Sequence, residues 1–354
     1  AVRADLLLPG EDENGLGAAR TQVEASLSEG PPESLLPATG PGSEEQPSFQ
    51  TVVTATRSER LADDVPVPTE VVTRRQIQRS GARDLAQVLA THPGVDLERT
   101  YRGSALRLQG LDAKSVAVMV DGLRVSGSVG NVIDLSRFTL RDVERIEIVK
   151  GPGAALYGSE AMGGVINIVT RSVTRPFEAA GSATYGMRNE LDLRGNAGGR
   201  LGPVEVRVGG GRRSADRWDR DPSDAATTGN QESGFDVNGQ VQVRTEDGRS
   251  FVRLSTDYQW RDAFGIDSQP TGAVFDRRER NEWFNATLAG RWSASDALTF
   301  DLQLRQSLYR SQFQQDQRAA LDEDRYEPAL ERQWMATGMA SLALGDHALS
   351  AGVE

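Results

Sequence analysis

The stretch "VERIEIVKGPGAALYGSEAMGGVINIVT", residues 143–170, decides the fold that the sequence predicts. It joins two strand-like runs through a glycine turn, a short helical piece and the Gly163-Gly164 pair. A dinucleotide site begins with a similar turn, whose glycines cradle phosphate at the start of a helix. Here the second strand follows too soon for a crossover helix of normal length, and residues 170–176, "TRSVTRP", offer no acid to bind a ribose. The glycines, among them Gly151, Gly153 and Gly158, therefore predict compact packing turns.

The residues around this stretch predict a small α/β domain. "PTEVVT" is a short strand, and "RRQIQRSGARDLAQVLATHPGV", residues 74–95, has helical spacing that ends at Pro93-Gly94. "ALRLQGL" and "SVAVMVDGLRV" are further strands, and the Asp121-Gly122 pair between apolar runs predicts a tight hairpin. The domain predicted in this way covers residues 57–175.

From about residue 177 the apolar residues recur at every second position, as in "FVRLSTDYQW", residues 251–260. The pattern predicts nine strands, at 178–187, 190–200, 203–213, 235–246, 250–262, 281–294, 297–313, 331–345 and 347–354. Short connections such as "EDGR" and "SASD" alternate with long ones around 214–234, 263–280 and 314–330. One-sided long loops are typical of outer-membrane barrels, and the polar face of the strands suits a wet lumen.

A soluble β-sandwich also alternates, but its strands are shorter, usually about five or six residues. Strands of the predicted length are long enough to cross a bilayer at a tilt. Trp260 and Phe284 would lie near the long-loop end of the apolar faces and Trp292 at the short-turn end, as two aromatic girdles. The pattern therefore favours a transmembrane β-barrel.

The first 49 residues differ from the rest in composition. The net charge is -11, and the first 50 residues hold nine acids against Arg3 and Arg20. "EGPPESLLPATGPGSEEQPS" is rich in proline, glycine and glutamate, so residues 1–49 are predicted to be a disordered acidic linker. No signal peptide is visible at the start of the chain.

Several classes of function are disfavoured by what the sequence lacks. There are no cysteines, which excludes thiolate catalysis and cysteine-ligated metals, and the two histidines, His92 and His347, have no catalytic pattern around them. No basic stripe points to nucleic acid. We therefore expect the protein not to be an enzyme.

The opening stretch carries a family resemblance together with "RLQG", residues 107–110, and "VAVMVDGLRV", residues 116–125. These motifs, in this order, resemble the plug domain of TonB-dependent outer-membrane receptors over residues 50–172. "TVVTATR", residues 51–57, is similar to the Ton box of the cobalamin receptor branch, which places a Ton box at residues 50–56. The resemblance implies an α/β plug domain inside a transmembrane antiparallel β-barrel, 22-stranded in the family and present here as about nine strands over residues 177–354.

The same resemblance implies active transport of a large scarce ligand, such as a ferric siderophore or cobalamin, across the outer membrane of a Gram-negative bacterium. TonB would bind the Ton box, and outer-membrane lipid and a small-molecule or metal-chelate ligand would be the other partners, without nucleic acid. The TonB-binding residues implied are Thr51, Val52, Val53, Thr54 and Ala55. A short, apolar, β-prone segment of this kind can add a strand to an exposed sheet edge; the alternative is an ordinary first strand of the plug.

Ligand and metal signals are weaker. Arg99, Tyr101 and Arg102 suit an anionic ligand at the outer face of the plug, where the turn at 126–131 is also expected, with a solvated loop as the alternative. Four carboxylates in one loop, Asp216, Asp219, Asp221 and Asp224, would hold Ca²⁺, which the cobalamin receptor family uses in extracellular loops, unless Arg217 and Arg220 neutralise them. No other cofactor is expected, and haem is disfavoured by the scarcity of histidines.

Two alternatives remain open at this level. A receptor-like outer-membrane barrel could signal or adhere without import, although the Ton box argues for energy coupling. The chain also stops at "LSAGVE", inside a predicted strand, so it is expected to be a fragment, because an open sheet edge facing lipid would leave backbone groups unpaired. The alternative is a truncated product that completes its barrel with another chain.

Overall fold

A computed structural model describes residues 21–27, 51–52, 60–61, 68–100, 103–125, 127, 133–151, 161–269, 271–319, 324–345 and 347–353. The first three strands are short: β1 (Thr21–Leu27), β2 (Thr51–Val52) and β3 (Arg60–Leu61). Strand β2 pairs antiparallel with β3. In the described ranges no helix is long and apolar enough to cross a membrane.

The α/β domain follows. Its elements are β4 (Thr69–Thr73), α1 (Arg74–Ser80), α2 (Leu85–Leu89), β5 (Val95–Thr100), β6 (Gly103–Leu108), β7 (Val116–Val120), β8 (Leu123–Arg124), β9 (Val143–Lys150) and β10 (Gly164–Thr170). Five of the strands form one sheet in the order β4-β9-β10-β7-β8, and β5 and β6 form a separate hairpin. Apolar side chains from β9, β10 and α2, including Ile146, Ile148, Ile166, Leu85 and Leu89, are buried in one core.

The helical pattern predicted over residues 74–95 forms two helices. Helix α1 starts at a capping box formed by Thr73 and Gln76, and it ends at Gly81, which adopts a left-handed conformation with φ of 63°. A new helix then starts at Asp84, whose side chain accepts from the Gln87 N–H at 3.0 Å. The glycine inside the periodic pattern therefore ends one helix and lets the chain turn before the next begins.

The tight turns predicted from glycine are confirmed where the structure describes them. Asp121 and Gly122 both have positive φ, 51° and 79°, as a two-residue type I′ hairpin between β7 and β8 requires. Gly151 has φ of 85°, and Gly164 has φ of 142° with its backbone packed against Val149 and Leu108. Gly153, Gly158 and the helical turn expected around "ALYG" lie outside the described residues.

The rest of the chain forms one long antiparallel sheet. Its strands are β11 (Phe177–Gly186), β12 (Glu190–Leu201), β13 (Val204–Ala215), β14 (Gln231–Arg244), β15 (Phe251–Ser268), β16 (Val274–Ser293), β17 (Leu298–Gln317), β18 (Arg325–Leu344) and β19 (His347–Val353). Each pairs with the next in sequence. All nine predicted strands are confirmed, and so are the short connections "EDGR" and "SASD".

Two of the predicted long connections are mostly strand. β15 and β16 are joined by residues 269–273, and β17 and β18 by residues 318–324, because the strands continue well past the predicted ends. In these extensions the outward face of the sheet carries charges, whereas nearer the short turns the same face is apolar. An example is Asp262, whose carboxylate pairs with Arg278 and Arg280. Cross-strand ion pairs there replace the alternation of apolar and polar residues that marks a strand in sequence.

Seven residues of the predicted disordered linker form a strand instead. Thr21–Leu27 pairs antiparallel with β11, with Val23 opposite Ala183. "TQVEASL" alternates polar and apolar residues. Without this strand, β11 would be the edge of the sheet and would leave a row of backbone N–H and C=O groups unpaired. The prediction that residues 1–49 lack regular structure is therefore wrong at this strand.

The two faces of the long sheet differ as predicted. Outward side chains are apolar and exposed over much of β13 to β18, and inward side chains are polar and contact the α/β domain. Aromatic pairs lie on the outward face: Trp292 stacks on Phe300 with ring centroids 5.5 Å apart near the short turns, and Phe235 on Trp260 at 5.8 Å towards the other end. The sheet therefore presents an apolar band with aromatic pairs towards each end.

Candidate functional site: the plug–barrel interface

The inward face of the long sheet holds the α/β domain through individual polar side chains. Arg305 on β17 makes four hydrogen bonds, three of them to the domain. Its guanidinium donates to three backbone carbonyls of the β7–β8 hairpin, those of Val120, Leu123 and Arg124, at 3.1–3.2 Å, while its Nε donates to Thr287 on β16 at 3.0 Å. Arg305 is 7% exposed. It therefore holds the backbone of the β7–β8 turn against the wall.

Neighbouring side chains hold the same turn. Gln303 donates to the Asp121 carbonyl at 3.4 Å, and the Asp121 carboxylate lies 3.6 Å from Arg253 on β15. The same carboxylate accepts hydrogen bonds from the backbone N–H and the hydroxyl of Thr170, at the end of β10. The β7–β8 turn therefore joins the domain sheet to the barrel wall.

A second group of contacts lies where β9 and β10 meet β11 to β14. Arg141 donates to the Gly210 carbonyl at 2.6 Å and to Asp236 at 2.5 Å, and Asn238 donates to Asp142 at 2.8 Å. One arginine and two aspartates of the domain and the wall therefore meet here. These contacts fix the position of the segment that leads into β9.

Arg207 on β13 is buried at the same place. It donates to the Arg171 carbonyl, and its guanidinium also lies within 3.6 Å of Glu178 and 3.9 Å of Asp142. Among the described residues, Arg207 Nε and Nη2, Asp142 Oδ1 and Glu178 Oε1 are buried without a hydrogen-bond partner. The interface is therefore strongly charged but incompletely hydrogen-bonded, unlike a core.

A further contact between the domain and the barrel wall is made by the Arg137 side chain. This side chain lies between two rings, 4.7 Å from the Phe138 centroid and 5.4 Å from that of Trp283 on β16, and burial lowers its pKa to about 10 although Asp134 favours the charged form. Trp283 stacks on Tyr309 at 5.3 Å. Gly127 closes over this group, since a Cβ there would come within 2.8 Å of Arg137 and Trp283.

Two acids link this end of the domain to the wall. Asp134 pairs with Arg261 on β15, which also lies 3.0 Å from Glu232 on β14. Asp84, the N-cap of α2, lies 3.6 Å from Arg213 on β13. Burial raises the pKa of Asp84, although the Gln87 N–H and Arg213 favour its charged form.

A third acidic group stands apart from the wall. Glu70 on β4 accepts from Lys150 Nζ at 2.8 Å and from His92 Nδ1, and Lys150 also donates to the Pro93 carbonyl at 2.9 Å. These bonds tie the first strand of the domain to the end of β9 and to the turn after α2. His92, expected to be an ordinary surface or packing histidine, has this structural contact.

The Glu70 contacts give a pH prediction. Burial raises the pKa of Glu70, but hydrogen bonds from Lys150 and His92 outweigh it and hold the pKa below its usual value. The stabilisation is therefore present above the unfolded-state pKa and is lost as pH falls through the folded-state pKa. We expect Glu70→Gln to speed hydrogen exchange of the β4 amides at pH 7 and to have little effect near pH 3. Exposed Asp96→Asn is the control; equal effects of Glu70→Gln at both pH values would contradict the assignment.

The predicted site residues are only partly described. Thr51 and Val52 of the Ton box form β2, extended and paired with β3, whereas Val53, Thr54 and Ala55 lie outside the described residues. Arg99 belongs to β5, and Tyr101 and Arg102 are outside the described part. The TonB-binding and ligand-binding roles of these residues stay predictions.

The four loop carboxylates are described and separate. Asp219 and Asp221 accept from hydroxyl groups or backbone N–H groups within the loop, Asp224 accepts from the Ala226 N–H, and Asp216 accepts from Asn189. In the described ranges no group of three or more acidic, histidine or cysteine side chains is placed to hold a metal ion. Calcium binding would require these carboxylates to exchange their local donors for the ion.

The sequence did not single out Arg305, Arg207 or Trp283. Their inward positions were visible in the alternation, but the polar face was interpreted as the lining of a wet lumen. The structure shows that much of this face contacts the α/β domain instead. The available signal was an arginine on the polar face of a strand with no acid opposite it on the neighbouring strand.

A compact α/β domain held by polar side chains against the inner face of a long antiparallel sheet, whose outer face is apolar, is the arrangement of a plugged outer-membrane β-barrel. Comparisons with known proteins agree. Residues 62–165 match the TonB-dependent Receptor Plug Domain. The chain therefore contains a plug domain of this type, followed by antiparallel strands whose fold is like that of solved outer-membrane receptors, and it is a protein of the Gram-negative outer membrane.

Individual relatives can be named. The vitamin B12 transporter BtuB of Vibrio cholerae is 36% identical over 172 residues, 47% of this chain and 28% of the relative, and that of Photobacterium profundum is 36% identical over 155 residues, 43% and 25%. The siderophore receptor PiuA of Acinetobacter baumannii superposes with a TM-score of 0.64 at 17% identity over 83% of this chain and 44% of that chain. The ferric enterobactin receptor PfeA of Pseudomonas aeruginosa gives 0.64 at 20% over 80% and 48%.

The similarity to these proteins covers only part of their length. The chain spans about a quarter of the length of the sequence relatives and about half that of the solved receptors. At 20% identity or less the solved structures support the fold alone. The α/β plug and the antiparallel barrel strands predicted from the sequence are confirmed by them.

Proposed function

We propose that this chain is the plug and the first barrel strands of a TonB-coupled importer, which takes a large scarce ligand such as a ferric siderophore or cobalamin across the outer membrane. The observation that carries the proposal is the character of the plug–barrel interface. It consists of separate hydrogen bonds and ion pairs, with several buried polar atoms left without partners. A plug held in this way is positioned accurately, yet it can be displaced without exposing an apolar core.

The position of the Ton box supports the same conclusion. Thr51 and Val52 are extended and lie before β4, the edge strand of the plug sheet. Among the described strands β4 pairs with β9 alone, so a pull on the preceding chain acts first on one five-residue strand. Energy supplied through TonB would therefore reach the plug at an edge strand of its sheet.

The ligand class is proposed from relatives and from the plug surface. Relatives of this chain are named as a vitamin B12 transporter and as siderophore receptors. Arg99, Tyr101 and Arg102 would meet an anionic chelate above the plug. Growth of a strain lacking the whole gene, under iron limitation and separately under vitamin B12 limitation, separates the two ligand classes.

A proline in the Ton box tests the energy coupling. Proline removes a backbone donor, so Val53→Pro should break strand addition to TonB and abolish ligand uptake while ligand binding to whole cells is retained. Gln46→Pro, the same change in the proline-rich segment upstream, is the control and should transport normally. Normal uptake by Val53→Pro would contradict the importer and favour a receptor that signals or adheres without import.

A further inference from the structure

A cavity of about 380 Å³ lies on the inner face of the long sheet at its short-turn end, against the segment that leaves the plug. Short turns are periplasmic in outer-membrane barrels, and we call this space the mouth cavity. Its lining includes Ser172, which follows β10, and four arginines, and among the described residues that line it there is no carboxylate. The arginines are Arg244 on β14, Arg249 in the turn before β15, Arg253 on β15 and Arg291 on β16. The mouth cavity therefore gathers guanidinium groups from several strands around one space.

Phe251 on β15 positions these groups. It pairs across strands with Arg244 on one side and with Arg291 on the other. The guanidinium carbon of Arg253 lies 5.7 Å from the centroid of the Phe251 ring, and that of Arg291 lies 6.0 Å from it. A cation–π contact orients a guanidinium without using its N–H donors in the plane of the group. Arg253 and Arg291 are therefore held in place while their donors can reach an acceptor in the cavity.

Each of the four arginines contacts one carboxylate outside the lining. The pairs are Arg244–Glu205 at 3.4 Å, Arg249–Asp296 at 2.6 Å, Arg253–Asp121 at 3.6 Å and Arg291–Asp301 at 2.7 Å. A guanidinium has five N–H donors, so one carboxylate does not saturate it. In the described part of the chain, Arg253 Nε is buried without a hydrogen-bond partner. The cavity therefore retains donors for a further anionic acceptor.

The ion pair of Arg253 differs from the other three because its carboxylate belongs to the plug. Asp121 lies in the β7–β8 turn, whereas the carboxylates that face the other arginines belong to the barrel strands and their turns. A plug that moved away would take Asp121 and Ser172 with it. Four arginines would then face three carboxylates in place of four. The same movement therefore opens the mouth cavity towards the lumen and makes it more positive.

We propose that the mouth cavity is an oxyanion site, which takes a phosphate or carboxylate group of the transported ligand as the ligand leaves the receptor on the periplasmic side. Arginine binds both groups through two parallel hydrogen bonds. The cavity is at the small end of the usual range for ligand sites, about 300–1,000 Å³, so it suits one charged group of a large ligand. Loss of the Asp121 carboxylate strengthens the site when the plug moves, which is when the ligand passes. The assignment to the ligand rests on the proposed import, whereas the oxyanion chemistry of the site does not.

The first experiment measures binding of inorganic phosphate to the purified full receptor by isothermal titration calorimetry. The double variant Arg253→Gln, Arg291→Gln should bind phosphate at least about tenfold more weakly, because charge-assisted hydrogen bonds are lost. Asp121→Asn should bind it severalfold more tightly, since a competing charge is removed. Asparagine keeps an acceptor for the Thr170 N–H and tolerates the positive φ of this turn position.

Arg79→Gln is the matched control for the first experiment. Arg79 is exposed in the last turn of α1 and lies outside the cavity, so this variant should bind phosphate like the native protein. Unchanged phosphate affinity in the double variant would overturn the oxyanion site. Opposite effects of the double variant and Asp121→Asn would not come from a damaged fold, because damage weakens binding in both.

The second experiment identifies the source of the oxyanion. Cells that express the native or the variant receptor are given cyanocobalamin, which carries a phosphodiester, or ferric enterobactin, an anionic chelate. For the probe that the native protein takes up, the double variant should lower the maximal uptake rate severalfold. It should leave the half-saturating concentration unchanged, because the cavity lies beyond the plug from the extracellular entry. Arg79→Gln should change neither quantity.

Two results of the second experiment would overturn the assignment to the ligand. Uptake at the native rate by a double variant that no longer binds phosphate would make a free periplasmic oxyanion the occupant of the cavity. Uptake of neither probe by the native protein would remove the import proposal and the ligand assignment together. In that case the phosphate titration alone would still decide whether the oxyanion site exists.

Discussion

Replacing Arg305 with methionine is expected to free the β7–β8 hairpin from the barrel wall. The side chain is buried and donates to the three hairpin carbonyls, none of which could find the same donor elsewhere. Leaving a buried hydrogen-bond acceptor without its donor costs about 1–3 kcal/mol. We expect faster hydrogen exchange in β7 and β8 of the purified receptor, and increased entry of a bulky antibiotic into cells that express it.

The neighbouring residue provides the control. Gln306 is next on the same strand but is exposed on the outward face, so Gln306→Met should leave both measurements unchanged. If Arg305→Met kept native protection in the hairpin, the clamp would be of no energetic importance, and the neighbouring contacts from Gln303 and Arg253 would hold the turn alone.

Replacing Gly164 with alanine is expected to destabilise the plug itself. Gly164 starts β10 with φ of 142°, which side chains rarely adopt, and an added Cβ would collide with the Val149 carbonyl and with Leu108. Backbone strain and overpacking each cost about 1–3 kcal/mol, so we expect a loss of about 2–6 kcal/mol. Limited proteolysis of the folded receptor should show a plug that is cut much faster while the barrel remains resistant.

A matched substitution tests whether the loss of stability comes from the position of Gly164 or from replacing any strand glycine with alanine. Gly195 is also a strand glycine, with an ordinary φ and nothing within 4 Å of an added Cβ, so Gly195→Ala should be close to neutral. Similar effects at both glycines would mean that loss of chain flexibility, and not crowding at the start of β10, determines the result.

Much of the fold could be predicted because its signals are local. The alternation from residue 177 onward identified all nine strands, and Asp121-Gly122 identified the hairpin turn through its requirement for positive φ. Local signals failed in two ways. Gly81 was included in a helical pattern that it ends, and the upper ends of β15 to β18 were missed because ion pairs such as Arg278–Asp262 replace apolar residues there.

The candidate site was harder to predict than the fold. Arg305 and the hairpin carbonyls it binds are more than 180 residues apart in sequence, so no spacing rule could connect them. The residues that the sequence did favour, from the Ton box to the acidic loop, were chosen by resemblance and by composition. Those choices concern partners outside the chain, and they stay predictions.

By itself the sequence determined the plug, the strands and the two faces of the sheet, because period, turn chemistry and polarity are properties of neighbouring residues. Only the tertiary structure decided what the polar face does. Arg207, Arg305 and Trp283 could equally have lined a watery lumen, since an inward polar side chain has the same pattern whether it meets water or protein. Contact between the inner face of the sheet and the plug placed these side chains against plug groups, which no pattern of neighbouring residues specifies.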